Sequence, residues 1–96
     1  MPELEWTQAA IADLLAIIDY ISDRNPDAAQ QLKDDIERKT VDLIEYPRMY
    51  RAGRVEGTRE MLVRGNYIVV YDTSPFFVRI LRVLHAAQQW PPEMKQ

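Results

Sequence analysis

REMLVRGNYIVVYDTSPFFVRILRVLH, residues 59–85, decides the fold. Three runs in it are rich in Val, Ile, Tyr and Phe, which is strand composition: Arg59 to Val63, Tyr67 to Tyr71 and Phe76 to Leu84. Gly65-Asn66 separates the first two, and Asp72-Thr73-Ser74-Pro75 the last two. Connections this short, made of turn residues, join neighbouring antiparallel strands. The stretch predicts a three-stranded antiparallel meander. Strict alternation along its last strand puts Arg79, Leu81, Val83 and His85 on one face and Ile80, Arg82 and Leu84 on the other. Arg79 and His85 are then expected to open onto the uncovered face. The competing expectation is that Arg79 or Arg82 pairs with an acid of the first helix, its long stem covering apolar surface.

Upstream the period becomes helical. Ile11, Leu14, Leu15, Ile18 and Ile21 follow one helix face between Gln8 and Asp23, with Thr7 placed to cap its start. Asn25 can cap a second helix, with Pro26 at its first position and Asp27 favourable beside its N-terminus. That helix runs to about Ile44, on a stripe of Ala28, Ala29, Leu32, Ile36, Leu43 and Ile44 with Thr40 and Val41 at its edges. Lys33, Asp34, Asp35, Glu37, Arg38 and Lys39 form its charged outer face, and Pro47 stops it. A linker of roughly three residues forces the two helices antiparallel. Leu14, Ile18, Leu32 and Ile36 are expected under the sheet. Residues 46–58 hold Gly53, Gly57 and three arginines and read as loop. Leu4 and Trp6 alternate with Glu3 and Glu5, so residues 2–6 form a strand that can join the meander. The order is β-αα-βββ: one α+β domain over residues 1–96, with a helix hairpin layered on a sheet.

Ninety-six residues leave no room for a second folded unit, and a chain this short buries only about two-thirds of its unfolded surface. No apolar stretch approaches a membrane span, and the N-terminus lacks the pattern of a secretory signal. With no cysteine and one histidine, thiol chemistry, disulfides and His-rich metal sites are excluded. No phosphate-loop, dinucleotide or nucleophile-elbow pattern is present, and no cofactor is implied. A soluble cytosolic domain is expected. The net charge of −3 hides an asymmetry: residues 1–45 hold 11 Asp/Glu and 4 Lys/Arg, whereas residues 46–96 hold 4 and 8. Arg48, Arg51, Arg54, Arg59, Arg64, Arg79 and Arg82 all lie in the second half, which suggests an anionic partner at one end. His85 alone titrates near neutral pH by its intrinsic pKa, and in a nuclease it would act as acid or base toward a 2′-hydroxyl. Tyr67 and Tyr71 share a face beside Val69; one is expected in the core, and the other is left open between core and base stacking.

EWTQAAIADLLAIIDYISDRNPDAA (residues 5–29), EYPRMYRAGRVEGTREMLV (45–63), NYIVVYD (66–72) and VRILRVLHAAQQW (78–90) together closely resemble the ParE/RelE superfamily of bacterial toxins. The combination of Arg-Glu-x-x-Val, Asn-Tyr-x-x-Val-Tyr and Arg-Val-Leu-His carries the likeness. The resemblance implies the toxin half of a type II toxin–antitoxin module. It also implies a cognate antitoxin whose segment folds on the toxin, and toxin–antitoxin assemblies of higher order. RelE-like members cleave mRNA on the ribosome, whereas ParE-like members are similar to poisons of DNA gyrase. The RelE-like enzymes place lysines on the first meander strand, an arginine early in the second and another just beyond the third. The matching positions here are Glu60, Leu62, Ile68 and Ala86, and none supplies a cation. A pI near 5.1 also suits rRNA poorly. The resemblance therefore implies a gyrase-binding toxin, with Arg48, Arg51, Arg54, Arg59, Arg64, Arg79 and Trp90 as target- or antitoxin-binding residues. The alternative is a ribosome-dependent mRNA endonuclease with His85 and Arg82 at its centre.

Overall fold

The computed structural model describes residues 2–88 and 90–91. In chain order its elements are β1 (Glu3–Trp6), α1 (Gln8–Ser22), α2 (Pro26–Glu45), β2 (Arg51–Ala52), β3 (Arg59–Val63), β4 (Tyr67–Thr73) and β5 (Phe77–His85). They build one sheet in the order β1-β5-β4-β3-β2. The strands β2 to β5 run antiparallel to one another, and β1 lies parallel beside β5. This is the α+β arrangement expected from the sequence, with the two-residue β2 added from what read as loop. The β3–β4 turn closes through Asn66 N–H donating to Val63 O at 3.2 Å. Its central residues, Arg64 and Gly65, sit at φ of 55° and 71°, the primed turn that matches strand twist.

Both helix starts are capped as their sequences predict. Thr7 Oγ1 accepts from Ala10 N–H at 3.1 Å, and Asn25 Oδ1 accepts from Ala28 N–H at 3.0 Å. The main core lies between the hairpin and the sheet. Ala10 and Leu14 of α1 and Leu32, Ile36 and Leu43 of α2 meet Met61, Val63, Val69, Tyr71, Val78, Ile80 and Val83. Ile18 is only half-buried.

The predicted stripe on α1 needs correction. Ile11 and Leu15 are 45% and 52% exposed, and the helix turns Ala10, Leu14, Ile17, Ile18 and Ile21 inward instead. One residue is about 100° of helix, so burying Ala10 and Leu14 swings Ile11 and Leu15 out to a shoulder. On α2, Thr40 is buried rather than marginal, its hydroxyl donating to Glu37 O at 2.8 Å. Asp35, expected outside, is 8% exposed, because Arg38, Lys39 and Arg64 converge on its carboxylate.

The alternation read along the last strand also fails, at a β-bulge. Val70 pairs with Arg82 and Tyr71 with Ile80, so Leu81 is an extra residue. Val78 and Ile80 before the bulge and Val83 after it therefore all face the helices. Arg79 and His85, expected on one face, lie on opposite faces. Beyond Ile80 the strand has outrun β1, and α1 supplies the missing edge partners. Thr7 N–H donates to Ile80 O and Thr7 Oγ1–H to Leu81 O, each at 3.0 Å; Val83 N–H donates to Asp13 Oδ2, also at 3.0 Å. Backbone groups freed by the bulge are thus satisfied by the first two turns of a helix.

Candidate functional site

The sheet face turned away from the helices carries a second apolar cluster. Ile68, Val70 and Leu84 are buried there, with Leu81, Ala86 and Trp90 packed against them. The chain after β5 folds back to bring Trp90 onto this face. Arg82 lies over the Trp90 ring, 5.6 Å from its centroid, and Arg54 Nη1 donates to Trp90 O at 3.3 Å. Glu60 points to this face, because its strand neighbour Met61 and Val63 beyond point to the helices, and it is 2% exposed.

Most of the predicted arginines are tied down. Glu60 takes Arg51 Nη2 at 3.3 Å and the backbone N–H of Arg54 at 2.9 Å, with Arg54 Nε 3.7 Å away. Arg79 Nε reaches Glu5 at 3.3 Å, and Arg64 Nε reaches Asp35 at 3.1 Å. Arg82 forks onto Asp13, with Nε at 2.6 Å and Nη2 at 3.0 Å. This pairing raises the Arg82 pKa further above its ordinary value, the hydrogen bond to Asp13 outweighing desolvation. Among the described residues Arg59 meets no carboxylate; its Nη1 donates to Tyr50 O at 2.7 Å and to Arg48 O at 3.5 Å. Among the described residues the Arg48 side chain makes no ion pair. The arginine-rich half is therefore far less of a free positive pole than its count implies.

His85 stands apart from these groups. It is exposed at the end of β5 on the helix side, its ring edge-on to Tyr67 at 5.5 Å between centroids. Its Nδ1 accepts from Ala87 N–H at 3.0 Å. With Ala16, Ile17, Tyr20, Ile21 and Tyr67 it lines a groove of about 330 Å³. Tyr71 is the core tyrosine: it is fully buried, its hydroxyl donates to Pro47 O at 2.8 Å, and burial raises its pKa. The structure thus brings Arg51, Arg54, Arg82 and Trp90 to one sheet face and puts His85 on the other. The competing expectation, that Arg79 or Arg82 pairs with an acid of the first helix, holds for Arg82 with Asp13; sequence reasoning did not find Asp35 and Glu60, the other acids that organise the arginines. The signal for Asp13 was its place between Ala10 and Leu14, on the buried side of a helix.

A strand, a helix hairpin and an antiparallel meander are the architecture of ParE/RelE superfamily toxins. A family model described as the ParE toxin of the type II toxin–antitoxin system parDE matches residues 4–90, and the chain belongs to that family. It is 40% identical over 89 residues to a relative named as toxin Y4kP of Sinorhizobium fredii, covering 92% of each chain. It is 36% identical over 88 residues to toxin RelE2 of Caulobacter vibrioides, covering 92% of this chain and 99% of that one. Among solved structures it superposes on the chromosomal ParDE system of P. aeruginosa with a TM-score of 0.78 and 28% identity, over 88% of this chain and 96% of that. The E. coli DinJ–YafQ complex gives 0.61 and 16% identity, over 91% and 96%, which is a likeness of fold alone. Among the described residues no helix is long and apolar enough to cross a membrane.

Proposed function

We propose that this type II toxin acts by binding, with DNA gyrase as its target, and that a cognate antitoxin neutralises it. The outer sheet face carries the reading. In-line attack on a phosphodiester needs preorganised cations for the charge that develops. Where the nuclease branch places them, this chain has Glu60 buried beneath two arginines, exposed Leu62, buried Ile68 and half-buried Ala86. Arg82, the remaining cation near this point, is already forked onto Asp13. The histidine that would move a proton is on the far side of the sheet. Membership of a family described by the parDE system supports the same reading. The alternative, a ribosome-dependent mRNA endonuclease, draws its support from the exposure of His85 beside Tyr67.

The substitution His85→Gln separates the two. It keeps size and hydrogen bonding and removes the imidazole. A gyrase-binding toxin should stay within several-fold of the parent in toxicity and in inhibition of DNA supercoiling. A nuclease using His85 should lose about 10²–10⁴ in cleavage rate. Loss of toxicity with antitoxin binding intact, joined to ribosome-dependent mRNA cleavage by the parent, would overturn the gyrase reading.

A further inference from the structure

Glu60 is a carboxylate standing where an apolar side chain would serve the fold. Its side chain is 1% exposed, on the sheet face that also buries Ile68, Val70 and Leu84. A buried charge offsets its desolvation only when it is fully paired, and an apolar residue of similar size is often as stable. Among the described residues, the partners of Glu60 all come from the segment just before β3. Arg51 Nη2 and the Arg54 N–H each take one oxygen, at 3.3 and 2.9 Å, with Arg54 Nε 3.7 Å away. The two guanidiniums are held but not hidden: their side chains are 61% and 46% exposed. A guanidinium carries five donors in a planar fork. Among the described residues Arg51 uses one on Glu60 and Arg54 uses one on Trp90 O. The loop that carries Arg54 is closed as well. Gly53 N–H donates to Thr58 O at 2.8 Å and Thr58 Oγ1–H to Val55 O at 2.6 Å, and a Cβ on Gly53 would overlap Thr58 Oγ1. Both arginines are thus fixed before any contact forms, which lowers the ordering cost of binding.

The surroundings narrow the occupant. Trp90 links this pair to Arg82, its carbonyl bonded by Arg54 and its ring beneath the Arg82 guanidinium. Leu62 is 49% exposed on the same face, two residues beyond Glu60. Arginine and tryptophan beside aliphatic surface are what the centres of protein–protein interfaces are made of. Arg51, Arg54 and Arg82 set against Glu60 and Asp13 leave one positive charge. One net charge presented through a planar fork suits one carboxylate, whereas affinity for nucleic acid is carried by many cations along a phosphate backbone. We propose that Arg51 and Arg54, aimed by Glu60 as a positioning residue, grip a carboxylate on the protein surface of the toxin's target, with Trp90 packed beside it. The inference rests on the gyrase reading, and adds the contact residues and the chemistry they recognise.

The test uses the purified full chain, with binding to purified DNA gyrase and inhibition of supercoiling as readouts. Arg51→Lys with Arg54→Lys keeps two charges over Glu60 and removes both forks. It should weaken gyrase binding and inhibition about tenfold, while thermal unfolding moves little. Arg51→Lys alone, with a loss of about threefold, covers the case in which the pair melts early. Glu60→Gln keeps an acceptor for the Arg54 N–H and both arginines, and should weaken binding about threefold to tenfold. Added to the lysine pair it should weaken binding little further, because Glu60 acts through the arginines. A Glu60→Gln variant that melts earlier in both backgrounds yet binds gyrase as the parent does would make Glu60 structural only and overturn its positioning role. Gyrase affinity within twofold of the parent for both the lysine variants and Glu60→Gln would overturn the whole inference, with the gyrase reading left intact. A parent that binds a short DNA duplex without gyrase, and loses that binding when Arg51, Arg54 and Glu60 are all changed to Gln, would assign the arginines to phosphate and also overturn it. A parent that neither binds gyrase nor inhibits supercoiling would sink the gyrase reading and this inference with it.

Discussion

Replacing Asp13 by alanine removes one side chain and orphans two groups on a strand 70 positions away. Asp13 accepts from Arg82 Nε and Nη2 and from Val83 N–H, and together with the capping Thr7 it ties the start of α1 to the edge after the bulge. A buried N–H left without an acceptor costs about 1–3 kcal/mol. The ion pair adds about 1 kcal/mol; the Arg82 side chain is 31% exposed, which holds its worth near that of a surface pair. The expected loss is about 2–4 kcal/mol, a fall in Tm of roughly 10–25 °C for a domain of this size. Urea unfolding followed by tryptophan fluorescence and far-UV circular dichroism measures it, with coincident curves and an unchanged m-value as the two-state check. Asp13→Asn keeps an acceptor for Val83 N–H and should cost about half as much. In a double-mutant cycle with Arg82→Ala, the coupling should fall below the whole Asp13→Ala effect, because the backbone bond survives loss of the guanidinium. A cost under 0.5 kcal/mol for Asp13→Ala would refute the account of the bulge as a junction closed from the helix.

Leu32 is 3% exposed between the helices and the sheet, so Leu32→Ala should cost about 2–5 kcal/mol in the same unfolding assay; under 0.5 kcal/mol would show the α2 face misassigned. Burial raises the Tyr71 pKa above 10.0, so its neutral form is favoured by folding. Stability should be intact below about pH 10 and fall as pH rises beyond it, because the unfolded state ionises first. Tyr71→Phe should flatten that alkaline decline, and an unchanged slope would count against it. Arg51→Glu or Arg54→Glu would confound binding with the stranding of buried Glu60, but Arg48 is exposed and makes no ion pair among the described residues. Arg48→Glu should therefore slow association of an acidic antitoxin segment several-fold in stopped flow and weaken its salt dependence; an unchanged on-rate would remove Arg48 from the interface.

The parts of the fold legible in the sequence are those whose signals are local. Thr7 and Asn25 announce their helices because a cap acts within one turn. The β3–β4 turn is announced by Gly65, whose φ of 71° suits glycine. The bulge at Leu81 had no such mark. No glycine stands there, and the groups that make it tolerable, Thr7 and Asp13, are distant in the chain. Alternation extrapolated through that point misplaced His85 relative to Arg79, and with it the picture of a mixed Arg–His face. The arginine count misled for a related reason. Charge summed along a sequence is blind to pairing across the sheet and hairpin, and Asp13, Asp35 and Glu60 each take up at least one of those guanidiniums.

Periodicity on α1 erred differently, and the error is informative. The residues assigned to one stripe, Ile11, Leu14, Leu15, Ile18 and Ile21, divide between an inner face and an exposed shoulder. A helix with apolar residues on every side gives no unique inward direction, so sequence alone could not choose. Its inward direction is set by its first turns: Thr7 and Asp13 lock onto β5, which turns Ala10 and Leu14 to the core and leaves Ile11 and Leu15 outside.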